Sequence, residues 1–171
     1  MRKKNIMKIE DLKTKIDSYK ESQELIENNR KTWQEKTKVL LLETLNKIKD
    51  SYPINWHIQN FKWKENLEVV NITFGPTPSG IMDINEKLSK PYMKRGGTLA
   101  FSQAIDGDVY VIIVYPSIED ILSDSGNKII GKYSPNLISE SFIIEKVSKF
   151  IDEIVIWEKS SYGNPIGFKF D

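Results

Sequence analysis

The pattern of apolar and polar positions is clearest in residues 98–115, where two apolar runs flank an Asp-Gly pair. Asp106-Gly107 between two β-type runs predicts a hairpin with a two-residue type I′ turn, in which both central residues have positive φ. The second run, residues 109–115, is apolar on both faces. A strand of this kind is covered on both sides, so we predict that it is the innermost strand of the fold.

Alternating apolar residues predict a second hairpin, formed by a strand at 54–64 and a partner strand at 67–74. The apolar residues of the first strand change parity after Ile58, and a β-bulge at residues 59–60 would turn all of them inward. The inward set then consists of Ile54, Trp56, Ile58, Phe61 and Trp63.

Helical patterns lie toward both ends of the chain. Residues 6–50 contain neither Pro nor Gly, and they predict one long helix or two helices broken within residues 27–32. Apolar density rises toward the end of this segment, which gives a face suited to covering a sheet, and Pro53 ends the element. Residues 139–159 predict a C-terminal helix, and residues 116–122 predict a helical turn.

Together these elements predict an α+β fold. Two hairpins build a four-stranded antiparallel sheet, or a five-stranded one if a short extended piece at 128–133 joins it. A long N-terminal helix or helix pair and a C-terminal helix flank the sheet. We interpret residues 1–35 as a helical extension and residues 36–171 as a single α+β domain. The second face of the innermost strand is covered by the remaining helix or by another subunit.

The N-terminal helix carries the main candidate for a binding surface. Apolar residues recur there at spacings of three and four, as in a coiled-coil seam, but polar residues interrupt the stripe after Tyr19. An isolated tryptophan on such a stripe is typical of a partner anchor, and packing of Trp33 on its own domain is the alternative. The predicted partner-binding residues are Ile9, Leu12, Ile16, Tyr19, Ile26 and Trp33. The expected partner is another protein or another copy of the chain.

The connection between the two hairpins is the second candidate. It is predicted as a long loop from Gly75 to Gly97, with a short helix starting near Asp83. Its second half is basic with one aromatic residue, a composition typical of contacts with phosphates and bases. The predicted ligand-binding residues are Lys87, Lys90, Tyr92, Lys94 and Arg95. The ligand would be a nucleotide, a nucleic acid or another anion.

Groups suited to catalysis or metal binding are few. The chain has one histidine and no cysteine, which excludes disulfides, thiolate nucleophiles and zinc–thiolate sites. His57 faces away from Trp56 on its strand and is interpreted as a surface residue. A cation site would require convergence in space of several carboxylates, namely Asp106, Asp108, Glu119, Asp120 and Asp124. No cofactor and no metal are predicted.

Composition changes this picture only slightly. Hydrophobic residues make up 39% and charged residues 29% of the 171 residues, which is typical of a folded soluble protein. Residues 1–64 carry 15 basic and 9 acidic side chains, and residues 65–171 carry 10 and 15. The basic half is interpreted as a solvated helical face, or as a surface that meets an acidic partner.

The location and the source of the chain are also inferred from composition. No apolar segment follows the basic N-terminus, and no apolar run is long enough to span a bilayer, so we expect a cytoplasmic protein with no membrane partner. The excess of lysine over arginine indicates an AT-rich, bacterial genome.

The sequence therefore favours a non-catalytic interaction module, which associates with itself or with a protein partner through its N-terminal helix. The alternative is a binding protein or enzyme that takes an anionic ligand at the basic 75–97 loop.

Overall fold

A computed structural model describes residues 8–64, 67–83, 89–122 and 126–160 of the chain. One uninterrupted helical rod of 43 residues forms the N-terminal part. It consists of a 3₁₀ turn (Ile9–Leu12), helix α1 (Lys13–Thr32), a π-helical turn (Trp33–Thr37) and helix α2 (Lys38–Ser51). The sequence left open one long helix or two helices, and the structure has one. The rod is not interrupted within residues 27–32; its irregular part is the π-helical turn directly after them.

Eight strands and one further helix follow the rod. The strands are β1 (Trp56–Lys64), β2 (Leu67–Phe74), β3 (Thr77–Asp83), β4 (Lys90–Arg95), β5 (Thr98–Gln103), β6 (Val109–Val114), β7 (Ser117–Ile118) and β8 (Asn127–Tyr133). A 3₁₀ turn at Pro135–Leu137 leads into helix α3 (Glu140–Lys159), whose N-cap Ser139 accepts a hydrogen bond from the Phe142 amide. The predicted α+β class is confirmed.

The strands form two antiparallel sheets. The larger sheet has the order β1-β2-β5-β6-β8, and the smaller one has the order β3-β4-β7. Both predicted hairpins and the extra strand at 128–133 belong to the larger sheet. The central strand is β5 and not the doubly apolar β6, which lies between β5 and β8, so the predicted innermost position of residues 109–115 is wrong.

Helices α2 and α3 cover the same face of the larger sheet. Leu41 and Leu45 of α2 and Ile143 and Phe150 of α3 are fully buried in one core. The sheet contributes its inward residues to the same core: Trp56, Val70, Ile72, Leu99, Phe101, Val109, Val111 and Ile113. Because both helices pack on this face, no helix in the described part of the chain is left to cover the opposite face.

The Asp-Gly hairpin is confirmed, but its turn differs from the predicted type. Gly107 has φ +81°, whereas Asp106 is not in the left-handed region. The Gly107 amide donates to the Ala104 carbonyl oxygen at 3.0 Å, and the Ala104 amide donates to the Asp108 carbonyl oxygen at 2.7 Å. This pattern fits a three-residue loop in which one left-handed glycine follows an ordinary turn, so only one positive φ is required.

Strand β1 lacks the bulge that was predicted at residues 59–60. Its pairing with β2 is regular from Trp56 to Lys62, and the register shifts only between Lys62 and Lys64. Strict alternation therefore keeps Phe61 on the outer face with His57. Phe61 and Trp63 are 47% and 77% exposed, so the expectation that they point inward is wrong.

The long connection is also more regular than predicted. Residues 77–95 contain the paired strands β3 and β4 instead of a loop, and the predicted short helix falls largely on residues 84–88, outside the described chain.

The helical turn predicted at 116–122 is wrong as well. Strand β7 pairs with β4 there, and Asp120 adopts a left-handed conformation with φ +61°.

Candidate interaction surface

The first half of the rod is a helix without tertiary cover. Every residue from Lys8 to Leu25 is exposed, including the apolar stripe. The exposed fractions of its side chains are 84% for Ile9, 42% for Leu12, 50% for Ile16 and 64% for Tyr19. These residues belong to the predicted partner-binding set, and the structure places all four on one unpartnered stretch of helix.

The two sheets and α3 form the part of the protein that we call the body. Contact of the rod with the body begins at Ile26, where the rod reaches the tip of the β5–β6 hairpin. The Asn29 side-chain amide donates to the Asp108 carboxylate at 3.0 Å, and the Arg30 guanidinium donates to the Ile105 carbonyl oxygen at 2.7 Å. Gly107 lies so close to the rod that a Cβ atom there would come within 2.9 Å of the Ile26 carbonyl oxygen. A glycine is therefore required both by the turn and by the helix above it.

Trp33 belongs to the core of its own domain. Its side chain is fully buried, and its indole N–H donates to the Glu68 carboxylate at 3.0 Å. Gln34 and Lys38 also donate to Glu68, each at 3.0 Å. Trp33 and Gln34 belong to the π-helical turn, the kind of irregularity that often marks a specialised part of a helix. Trp33 therefore offers no surface to a partner, in line with the alternative considered for it.

Glu68 is the most buried carboxylate of this region, with no exposed side-chain area. Burial by itself would raise the pKa of Glu68, but hydrogen bonds from Trp33 and Lys38 outweigh burial and hold the pKa below its ordinary value. Lys62 adds a second ammonium group at 3.5 Å. The carboxylate is thus a charged anchor that fixes the π-helical turn of the rod to β2.

The predicted ligand-binding residues do not form a common cationic site. Lys94 is paired with Glu158 of α3, and Arg95 is paired with Glu119 at 3.3 Å. Lys90 is exposed at the start of β4 and Tyr92 is half-buried within it, while Lys87 lies outside the described residues. Neutralisation by carboxylates leaves Lys94 and Arg95 poorly suited to an anionic ligand.

The candidate carboxylates lie at opposite ends of β6. Asp106 and Asp108 are at the hairpin tip, where Lys132 is paired with both of them. Glu119 and Asp120 follow β7 at the far end, and Asp124 lies outside the described chain. Over the residues that the structure describes, no group of three or more histidine, aspartate or glutamate side chains is placed to hold a metal ion.

The outer face of the larger sheet is a surface whose residues were not predicted, although a cover for the second face of residues 109–115, from a helix or from another subunit, was expected. The alternation of the paired strands puts Phe61, Leu67, Ala100 and Tyr110 on the side opposite the core. We call this side the open sheet face, and its large apolar residues are Phe61, Trp63, Leu67, Tyr110, Ile112 and Val114. The signal was present in the sequence, because uninterrupted alternation from His57 already places Phe61 away from the core.

Comparison of the chain with protein-family models, with curated proteins and with solved structures found no match. Across the described residues, no helix combines the length and the apolar character needed to cross a membrane. Two surfaces of the described residues have no partner within the chain: the first half of the rod (residues 8–25), which we call the free helix, and the open sheet face.

Proposed function

We propose that this protein is an interaction module that associates with another copy of itself through residues 8–25 of its N-terminal helix. The observation that carries this proposal is the exposure of an apolar stripe on 18 consecutive residues, none of which the described part of the chain buries. The stripe residues are Ile9, Leu12, Ile16 and Tyr19.

An uncovered helix of this length has little stability of its own in water. Nucleation is unfavourable, and helices shorter than about 12–15 residues are marginal even for favourable sequences. Most helical stability in proteins comes from packing of an apolar face. Residues 8–25 continue a docked helix and so avoid part of the nucleation cost, but their apolar stripe gains nothing until a partner covers it.

The spacing of the stripe identifies the kind of partner that fits. Residues at intervals of three and four lie on one side of a helix, so they present a narrow apolar seam. Acidic and basic side chains flank the seam in nearly equal number, since the 8–25 stretch has four lysines and five acidic residues. A second copy of the same stretch, or a surface on the second copy, can therefore approach without strong charge repulsion.

Light scattering on purified full-length protein tests the proposal directly. We expect a concentration-dependent mass above the 19.8 kDa of one chain. The double variant Leu12→Asp/Ile16→Asp places two charges on the seam and should remain at one chain mass. The matched control, Thr14→Asp/Ser18→Asp, adds the same charges on the opposite side of the helix and should associate like the unchanged protein.

Two results would contradict self-association through this helix. One is an unchanged protein that stays at the mass of a single chain at all concentrations. The other is a seam variant that associates as strongly as the control. Circular dichroism of each variant checks that the protein is still folded. We expect the seam variant to fold, because the seam residues are not part of the hydrophobic core.

A further inference from the structure

The open sheet face has the shape of a trough. Its floor lies on the two neighbouring strands β2 and β5, whose outward residues are Leu67, Val69, Asn71, Thr73, Thr98, Ala100 and Ser102. Larger side chains stand on either side, with Phe61 and Trp63 on β1 and Tyr110 and Ile112 on β6. At the hairpin end the trough opens into a cavity of about 600 Å³, which Trp63, Leu67, Ser102 and Tyr110 help to line.

The width of the trough matches an α-helix. Strands β1 and β6 are separated by three strand spacings, so their backbones lie about 14 Å apart. A helix with its side chains is about 10–12 Å across. The floor strand β5 has six residues and extends for about 20 Å, whereas the seam from Ile9 to Tyr19 extends for about 15 Å.

The described chain has no element of its own to fill this trough. Both α2 and α3 pack on the opposite face. The free helix cannot turn back onto it, because it continues a straight rod that is fixed at Asn29 and carries Ile9 about 30 Å away from that point. The rod is nevertheless fixed at the same hairpin tip where the cavity opens, since Ile105 contacts Arg30 and lines the cavity.

We propose that the trough of one copy binds the free helix of a second copy, and that the second copy reciprocates. This inference rests on the proposed function and names the surface that the helix binds. Two identical helix-to-trough contacts, related by a two-fold axis near the hairpin tips, cover every unpartnered apolar stripe described above and close the assembly as a dimer. The sheet then has helices on both faces, which agrees with the doubly apolar sequence of β6.

The area that a dimer of this kind requires from each contact is modest. A standard interface buries about 800 Å² per partner. In the reciprocal arrangement each copy contributes both a helix seam and a trough, so each of the two contacts has to supply only half of that area per partner. Large aromatic side chains bury about 150–250 Å² each, and both Trp63 of the trough and Tyr19 of the seam are mostly exposed.

Cross-linking distinguishes helix-to-trough contact from helix-to-helix contact. Because the chain has no cysteine, single thiols can be introduced without background. We expect that an Ile16→Cys protein and a Ser102→Cys protein, mixed with a short bis-maleimide, give a covalent species containing one chain of each kind. Cross-linking of Ile16→Cys only to itself would overturn the proposal.

Filling the trough provides the second arm of the test. Ser102→Trp occupies the floor, and Trp63→Lys changes a wall residue that is too exposed to matter for folding. Both should shift the light-scattering mass to one chain, while the control Ser148→Trp, on the exposed side of α3, should leave association unchanged.

The combined results separate this inference from the proposed function. If the trough variants still associate while Leu12→Asp/Ile16→Asp does not, the helix pairs with its own copy, and only the trough proposal is overturned. If the trough variants and the seam variant all associate normally, both proposals are overturned.

Discussion

Two halves of one continuous helix have very different surroundings. Residues 26–51 pack on the sheet through Trp33, Leu41 and Leu45, which are fully buried, whereas residues 8–25 are exposed throughout. Both halves carry apolar residues at helical spacing, so the pattern alone does not distinguish them. The difference lies in what the body of the chain places beside each half.

An apolar pattern of helical spacing is therefore not enough to stabilise a helix. In the docked half, burial and the hydrogen bonds of Asn29, Arg30 and Trp33 hold the backbone in place. In the free half only local hydrogen bonds act, and they confer little net stability in water. An apolar stripe that its own domain leaves uncovered therefore points to an intermolecular contact. The following four experiments test this contrast, in order of decreasing expected effect.

The largest effect is expected from deleting the same side chain in both halves. Leu41→Ala removes a fully buried leucine and should lower the free energy of unfolding by about 3 kcal/mol. Leu12→Ala removes an exposed one and should change the stability of the body by no more than about 0.5 kcal/mol. Urea unfolding followed by tryptophan fluorescence measures both values. Equal losses in the two variants would mean that the free half is covered by its own chain.

The contact between the hairpin tip and the rod is tested by two glycine substitutions with similar backbone angles. Gly107 has φ +81° and Gly126 has φ +77°, so alanine is strained at both positions. Gly126→Ala meets no neighbouring atom and should cost about 1 kcal/mol. Gly107→Ala would place its Cβ against Asn29 and the Ile26 carbonyl, so we expect a loss of about 2–3 kcal/mol.

Hydrogen exchange complements the stability measurement of these two glycine variants. In the Gly107→Ala protein, amides of residues 27–32 should lose protection that they retain in the Gly126→Ala protein, because the rod separates from the hairpin first. Identical exchange in the two variants would show that the hairpin tip does not hold the rod.

The anchor at Glu68 predicts a dependence of stability on pH. Because the pKa of Glu68 is lowered in the folded state, its ionised form stabilises the fold above the ordinary value of 4.5. That contribution is lost as the pH falls below this value and through the folded-state pKa. Glu68→Gln should lower stability at pH 7 by about 2 kcal/mol and flatten the decline in acid.

A control for the pH dependence lies on the free half. Glu24 is exposed and lies outside the docked residues 26–51, so Glu24→Gln should follow the pH profile of the unchanged protein. Thermal melts between pH 3 and pH 7 compare the three proteins. A profile for Glu68→Gln that is parallel to the other two would contradict the role of the carboxylate.

The smallest effect is expected at two adjacent asparagines of the rod. Asn29 is buried and donates to Asp108, so Asn29→Ala should cost about 1 kcal/mol. Asn28 is exposed, and Asn28→Ala should leave stability nearly unchanged or raise it slightly, because alanine favours a helix. Chemical denaturation resolves the difference, and equal stability of the two variants would remove Asn29 from the set of docking contacts.

Much of the fold could be predicted from local patterns. The two hairpins, the C-terminal helix and the helical character of residues 9–51 follow from periodicity and turn residues, which depend only on neighbours in the sequence. Errors arose where two local readings were compatible. In β1, a bulge would turn Phe61 toward the core, whereas strict alternation would turn it outward. Only the regular pairing of β1 with β2 shows that Phe61 lies on the outer face.

The candidate site could be predicted only in part. The stripe at Ile9, Leu12, Ile16 and Tyr19 is visible in the sequence, but its exposure depends on how far the rod extends beyond the hairpin tip. The same pattern at Ile26 and Trp33 is covered by the body. The trough is visible in the sequence only in part: alternation places Phe61 on the outer face, but only the pairing of β2 with β5 joins the two hairpins into one floor.

Local patterns specify the elements of this protein: a long helix with an apolar stripe, an Asp-Gly hairpin and a strand that is apolar on both faces. These features depend on residues close together along the chain. Three further features follow from tertiary packing: both sheet-packing helices share one face, the first half of the rod is free, and the opposite sheet face is open. Those features depend on which apolar surfaces pack together in the core, and the packing partners are far apart in the sequence, so a local pattern does not identify them.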